Sequence, residues 1–300
     1  NCRWGYKSLK ELKAVTASYT AAGIPITTFW MDIDYMHGFR DFTTDPVAFP
    51  AGDFAAYVGQ LHARGQRFVV ILDPGIKIEA SYAPYTEGLA AGIFVRDGFT
   101  GRPYTGVVWP GAVHYPDFLH PNASEWWGRH IRTFLKTIPS DGLWVDMNEV
   151  SNFCNTNGRG QECHLASQQE SAACPPLAGG QLTGSFSGNC CKGTDDRVVV
   201  CRTLDPENLL DFPPHSIGNQ GQPLGTKTLP PSSLHFGNVR DYDVHSTYGS
   251  LMTKATVRAL LAAHPGRRPF VLSRSTFVGH GAHAAHWLGD NDATWQDLQA

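Results

Sequence analysis

The sequence predicts an α/β chain belonging to a (β/α)8 TIM barrel, incomplete within these 300 residues, with about six strands and a Cys-rich loop insertion after the fourth. Three observations predict it. Apolar runs of strand length alternate with amphipathic helical patterns, the signature of βαβ units. The runs are apolar nearly throughout, so both faces of a parallel sheet are covered. Aspartates follow several runs directly: Asp32 and Asp34, Asp73, Asp146 and Asp290. A ring of polar groups at the C-terminal ends of many strands is a barrel pattern. An open doubly wound sheet would instead concentrate its ligands at one switch point, usually with a Gly-rich phosphate turn, and none is found.

Residues 8–22 open with Ser8 and Glu11 as a capping box and stop at Gly23, which predicts a helix. Residues 24–34, "IPITTFWMDID", form the first strand. Phe54, Val58 and Leu61 recur at helical spacing before Gly65. The run 67–75, "RFVVILDPG", is a fully buried strand closed by Pro and Gly, and 106–111, "GVVWPG", is a weaker third candidate. Trp127, Ile131 and Phe134 share one helix face, and "DGLWVDMNE" supplies the fourth strand. Periodicity then lapses into Gly, Pro, Ser and Cys. A helix near 243–263 and strands at 268–276 and 285–291 follow. The organisation expected is a first barrel part (1–153), an insertion (154–237) and a continuation (238–300).

A net charge of −3 with 17% charged residues argues against a nucleic-acid platform or a basic membrane surface. No apolar run is long enough for a membrane span. The opening "NCRWGYKSLK" has neither Met nor an apolar leader, which reads as a processed chain or a fragment. Six of seven cysteines lie between Cys154 and Cys201, in a segment with little core, which favours disulfides and the secretory pathway. Zinc is the rival reading, weakened by the lack of paired CxxC units. Cys2 is left over, its partner expected outside this chain. Asn122-Ala-Ser124 is a glycosylation sequon.

Why does the apolar strand of "GLWVDMNEVSNF" (142–153) run straight into Asp146 and Glu149? Carboxylates are placed against a core only when paired or functional. Trp30, Trp109, Trp144 and Trp287 lie within three residues of a strand-end carboxylate or a Pro-Gly turn. Indole faces stack on pyranose rings while carboxylates grip hydroxyls, so the combination points to a carbohydrate site. Cleaving a glycosidic bond needs one ionised carboxyl and one holding a proton, and Asp146 and Asp290 fit that need.

"WMDIDYM" (30–36), "DGLWVDMNEVSNF" (141–153), "RPFVLSRSTFVG" (268–279) and "AAHWLGDN" (284–291) together resemble glycoside hydrolase family 31, most closely its plant-like α-glucosidases and acid maltases. The resemblance implies a retaining mechanism with Asp146 as nucleophile and Asp290 as general acid/base. It implies a sugar subsite lined by Asp32, Ile33, Ile71, Trp109, Trp144, Met147, Phe153, Arg274 and Trp287. Glu149 and His286 are expected to support these residues rather than touch substrate. The substrate implied is an α-glucan oligosaccharide, with α-xylosidase or a non-catalytic carbohydrate-binding relative as alternatives. No cofactor and no metal is implied, although His280, His283 and His286 stand three apart. Oligomeric state is left open. The family's later-strand His and preceding β-sandwich lie outside this sequence, so the chain is expected to be the central part of a larger enzyme.

Overall fold

The computed structural model describes residues 3–154, 161–174, 185–187, 190–193, 195, 197–203, 207–216, 222–292 and 294–299, with only the backbone of 161–162, 185–187 and 202–203. Cys2 therefore lies outside the described residues. The chain divides into two compact units, one of Asn1–Asp73, Glu125–Asn148 and Met252–Ala300, the other of Pro74–Ser124 and Glu149–Leu251.

The first unit holds a parallel sheet of Thr28–Met31, Arg67–Leu72, Gly142–Val145, Phe270–Ser273 and Ala285–His286. These strands lie side by side in chain order. A doubly wound sheet would reverse its order at a switch point, whereas a barrel keeps it. The helices form where the apolar spacing demands. Phe54, Val58 and Leu61 are fully buried on Ala51–Ala63, and Trp127 and Ile131 on Ala123–Thr137. The Trp127 indole N–H donates to Thr256 Oγ1 at 2.9 Å, so even this large ring leaves no unsatisfied donor. Ser8 caps Leu9–Ala21 by accepting from Glu11 N, but the return bond from Glu11 reaches Lys7 N rather than Ser8 N.

The run 106–111 is not a barrel strand. Gly106–Val108 pairs antiparallel with Gly111–His114 across a two-residue turn, with Ile76–Lys77 on the outer side. Gly111 at φ +101° makes that turn possible, a backbone region that side chains avoid. Five of the six expected strands thus form the parallel sheet.

The insertion has more order than its composition suggests. Gln161–Leu165, Val198–Thr203, Cys190–Lys192 and Ser185–Ser187 form an antiparallel sheet. Disulfides join Cys154–Cys191, Cys163–Cys201 and Cys174–Cys190. Cys154, Cys163, Cys191 and Cys201 pack with Val107, Ala112 and Val199 into a small core. Cross-linking replaces the hydrophobic area that so polar a segment lacks.

Candidate active site

Strand register builds the site. Leu72 pairs with Val145, and Val145 with Ser273, so the next residues, Asp73, Asp146 and Arg274, emerge together at the C-terminal rim. His286 pairs with Ser273, which brings Trp287 to the same rim. Ile71 is buried two residues below it, its carbonyl accepting from Tyr35 Oη at 2.7 Å.

Asp146 is mostly buried. Its backbone N–H donates to Leu72 O at 3.2 Å, and Arg274 Nε lies 3.0 Å from its Oδ1. Arg274 is in turn anchored through its N–H to Val145 O, and its Nη2 donates to Met147 Sδ at 3.2 Å. Met147 holds φ +56°, a left-handed conformation that costs a non-glycine residue about 1–3 kcal/mol. The next residue compensates for it. Asn148 is fully buried, its amide donating to Ser273 Oγ at 3.0 Å and its Oδ1 accepting from Ser275 N at 3.1 Å. The turn after Asp146 is clipped to the neighbouring strand, which gives its carboxylate a fixed direction.

Asp32 caps the short turn Ile33–Tyr35, accepting from Ile33 N at 2.7 Å and from Trp4 N at 2.8 Å. Burial nevertheless raises its pKa above the ordinary aspartate value, and the charges of Asp34 and Asp290 add to that. Ile33 is buried beside it. The Trp144 ring stacks on Trp30 at 5.5 Å and meets Trp287 edge-on at 5.5 Å. Among the described residues the buried Trp144 Nε1–H finds no acceptor. An aromatic wall with a free donor is what a hydroxyl-bearing ring would meet. Asp290 is half-exposed, with Arg3 Nε 3.3 Å from its carboxylate. His286 Nδ1 lies 3.2 Å from Ser273 O, a contact that ties it to the neighbouring strand.

The second unit carries Trp109, Phe153 and Glu149. Trp109 and Phe153 meet edge-to-face at 4.9 Å. Phe153 N donates to Val107 O, and Asn152 Oδ1 accepts from both Val107 N and Cys154 N, so this segment is stitched to the hairpin. Glu149 is exposed. Among the described residues no group of three or more His, Cys, Asp or Glu side chains is arranged to hold a metal ion.

Sequence reasoning left three residues out of the site. Asn148 carried a signal, being the polar residue inside the turn after Asp146. Asp73 was visible as a strand-end aspartate but not as a member of the cluster. Asp41, buried, accepts from Asp73 N at 3.0 Å and carried no local signal.

The profile of the glycosyl hydrolases family 31 TIM-barrel domain matches residues 1–300. A probable alpha-glucosidase of Oryza sativa subsp. japonica is 44% identical over 299 residues, covering 99% of this chain and 28% of that protein. Alpha-xylosidase 1 of Arabidopsis thaliana is 42% identical over 300 residues, covering 99% of this chain and 30% of that protein. Among solved structures, the ER glucosidase II heterodimer of catalytic subunit and regulatory binding domain superposes with a TM-score of 0.70 at 28% identity, over 98% of this chain and 24% of that one. The chain spans less than a third of the length of these relatives.

Proposed function

The chain belongs to glycosyl hydrolase family 31, and from that premise we propose that it carries the catalytic centre of a retaining exo-α-glucosidase. The substrate is terminal, non-reducing α-(1,4)-linked glucose on maltose, malto-oligosaccharides or starch. The observation that carries this reading is Asp146, clamped by Arg274 at the strand rim beside the Trp30–Trp144–Trp287 wall.

In the first step an Asp146 oxygen bonds to the anomeric carbon as the glycosidic C–O bond breaks. Asp290 gives its proton to the departing oxygen. In the second step Asp290, now a carboxylate, takes a proton from water, whose oxygen displaces Asp146 from the anomeric carbon and restores its configuration. Asp32 and Arg274 bind sugar hydroxyls, Trp144 offers its free N–H, and Ile33, Ile71, Met147 and Trp287 wall the ring. His286 supports its neighbours, while Trp109, Phe153 and Glu149 belong to the second unit.

The α-xylosidase reading is favoured by the 42% identity to the Arabidopsis relative, close to that of the rice protein. Hydrolysis rates on nitrophenyl α-glucoside and α-xyloside separate the two. The three disulfides support maturation in an oxidising compartment, hence the secretory pathway, and no described helix is long and apolar enough to cross a membrane. The test of the mechanism is to label the full-length enzyme with a cyclitol epoxide and map the peptide. Label on Asp146 is expected; label on Glu149 would overturn the assignment.

A further inference from the structure

Asp73, Asp146 and Arg274 emerge side by side at the ends of neighbouring strands. Asp73, buried at the end of Arg67–Leu72, feels the charges of Asp146, Asp41 and Asp32, which Arg274 opposes. Arg274 already lies 3.0 Å from Asp146. Among the described residues Asp73 Oδ1 is buried without a hydrogen-bond partner, while Asp73 N donates to Asp41 Oδ1 at 3.0 Å. A second ionised carboxylate in this place would compete with Asp146 for the Arg274 guanidinium, an expensive arrangement away from water.

We propose that Asp73, backed by Asp41, is a positioning residue for Asp146: a buried carboxyl at the rim that leaves Arg274 committed to the nucleophile. This rests on the reading of Asp146 given above. Both buried groups favour the protonated form, Asp73 through burial and then the charges of Asp146, Asp41 and Asp32, and Asp41 through burial. When Asp73 ionises at higher pH, it draws Arg274 from Asp146 and glycosylation slows. Asparagine has the shape of the neutral acid but cannot ionise, so it should rescue what alanine loses.

The experiment compares Asp73→Asn and Asp73→Ala in the full-length enzyme. The readout is the pH profile of kcat/KM on an activated aryl α-glucoside, whose leaving group needs no acid help. Asp73→Ala should fall at least about tenfold below Asp73→Asn. The alkaline limb of Asp73→Asn should move upward by roughly one pH unit or more. Infrared difference spectra should show a protonated-carboxyl stretch in wild type that Asp73→Asn lacks, and this holds even if Asp73→Ala fails to fold. An alkaline limb that superimposes on wild type, or a protonated-carboxyl band unchanged in Asp73→Asn, overturns the proposal. Cyclitol epoxide labelling of Asp73→Asn separates the two failures. Label on Asp146 with an unmoved pH limb sinks the Asp73 role alone, whereas label elsewhere sinks the nucleophile assignment beneath it.

Discussion

Asp73 in the first unit and Asp241 in the second are both buried aspartates, yet their proton affinities move in opposite directions. Burial raises that of Asp73, and neighbouring carboxylates raise it further. Burial would also raise Asp241, but bonds from His235 and His245 outweigh it and hold its carboxyl below the ordinary value. The second unit pairs its buried charges. His235 Nδ1 lies 2.8 Å from Asp117, His235 Nε2 lies 3.1 Å from Asp241, and His245 Nδ1 lies 2.7 Å from the other Asp241 oxygen. Asp117 also accepts from Leu119 N and Phe236 N. In the first unit Asp73 lies among the charges of Asp146, Asp41 and Asp32, with Arg274 opposing them. Satisfied networks stabilise a fold, whereas under-compensated carboxyls at a strand rim are where chemistry is tuned. The contrast predicts that substitutions in one unit should cost rate and those in the other should cost stability.

The largest effect tests that division at its centre. Asp146→Asn should lower hydrolysis by at least about 10⁴-fold, and azide should not restore the retained product. Unfolding should shift little by comparison, and a large loss of stability with retained rate would erase the distinction between the units. Asp290→Ala should cost about 10²–10⁴-fold on maltose but much less on an aryl glucoside whose phenolate leaves unaided. Added azide should speed turnover of that activated substrate by attacking the intermediate without base help. Equal losses on both substrates, with no azide effect, would move the acid/base role to another carboxyl.

In the second unit, His235→Leu strands Asp117 and Asp241 without their shared cation. It should destabilise by about 3–5 kcal/mol, read as a lower midpoint in denaturant, with kcat/KM per folded molecule retained. A rate loss at unchanged stability would give this network a part in the chemistry.

The smallest effects are pH dependences within the second unit, and their signs differ. Burial works against the charged form of His235, but Asp117 and Asp241 override it and raise the pKa to about 9, above the unfolded value near 6.5. Its contribution is therefore complete below the unfolded pKa and fades as pH rises through about 9. His114 is pushed down to about 4 by burial, packed against Tyr85 and Phe94, with its Nδ1 on Tyr104 O. The unfolded chain binds that proton first, so stability falls as pH drops from the unfolded pKa toward about 4. Each should amount to roughly 1–3 kcal/mol. Denaturation curves at acid, neutral and alkaline pH should show the acid loss shrink in His114→Gln and the alkaline loss shrink in His235→Leu. The reverse pattern would contradict the pairing described here.

Much was determined by the sequence alone. Helical spacing at Phe54, Val58 and Leu61, and the continuous apolar runs before Asp73 and Asp146, depend on local periodicity, which survives without knowledge of neighbours. Asp146 and Asp290 were marked by their motifs, and the clustered cysteines by a segment too poor in apolar residues to hold itself. Tertiary structure decided the rest. Whether 106–111 joined the barrel depended on the partner that Val107 found, and Ala112, five residues later, was that partner. The disulfide pairs and the insertion's sheet depended on each other, because neither half-cystine spacing nor strand propensity selects a mate. The bond between Asp41 and Asp73 spans 32 residues, and the one between Asp117 and His235 spans 118. A carboxyl's proton affinity is set by what surrounds it in space, so Asp73 and Asp241, each a buried aspartate, became different chemical groups only once the chain had folded.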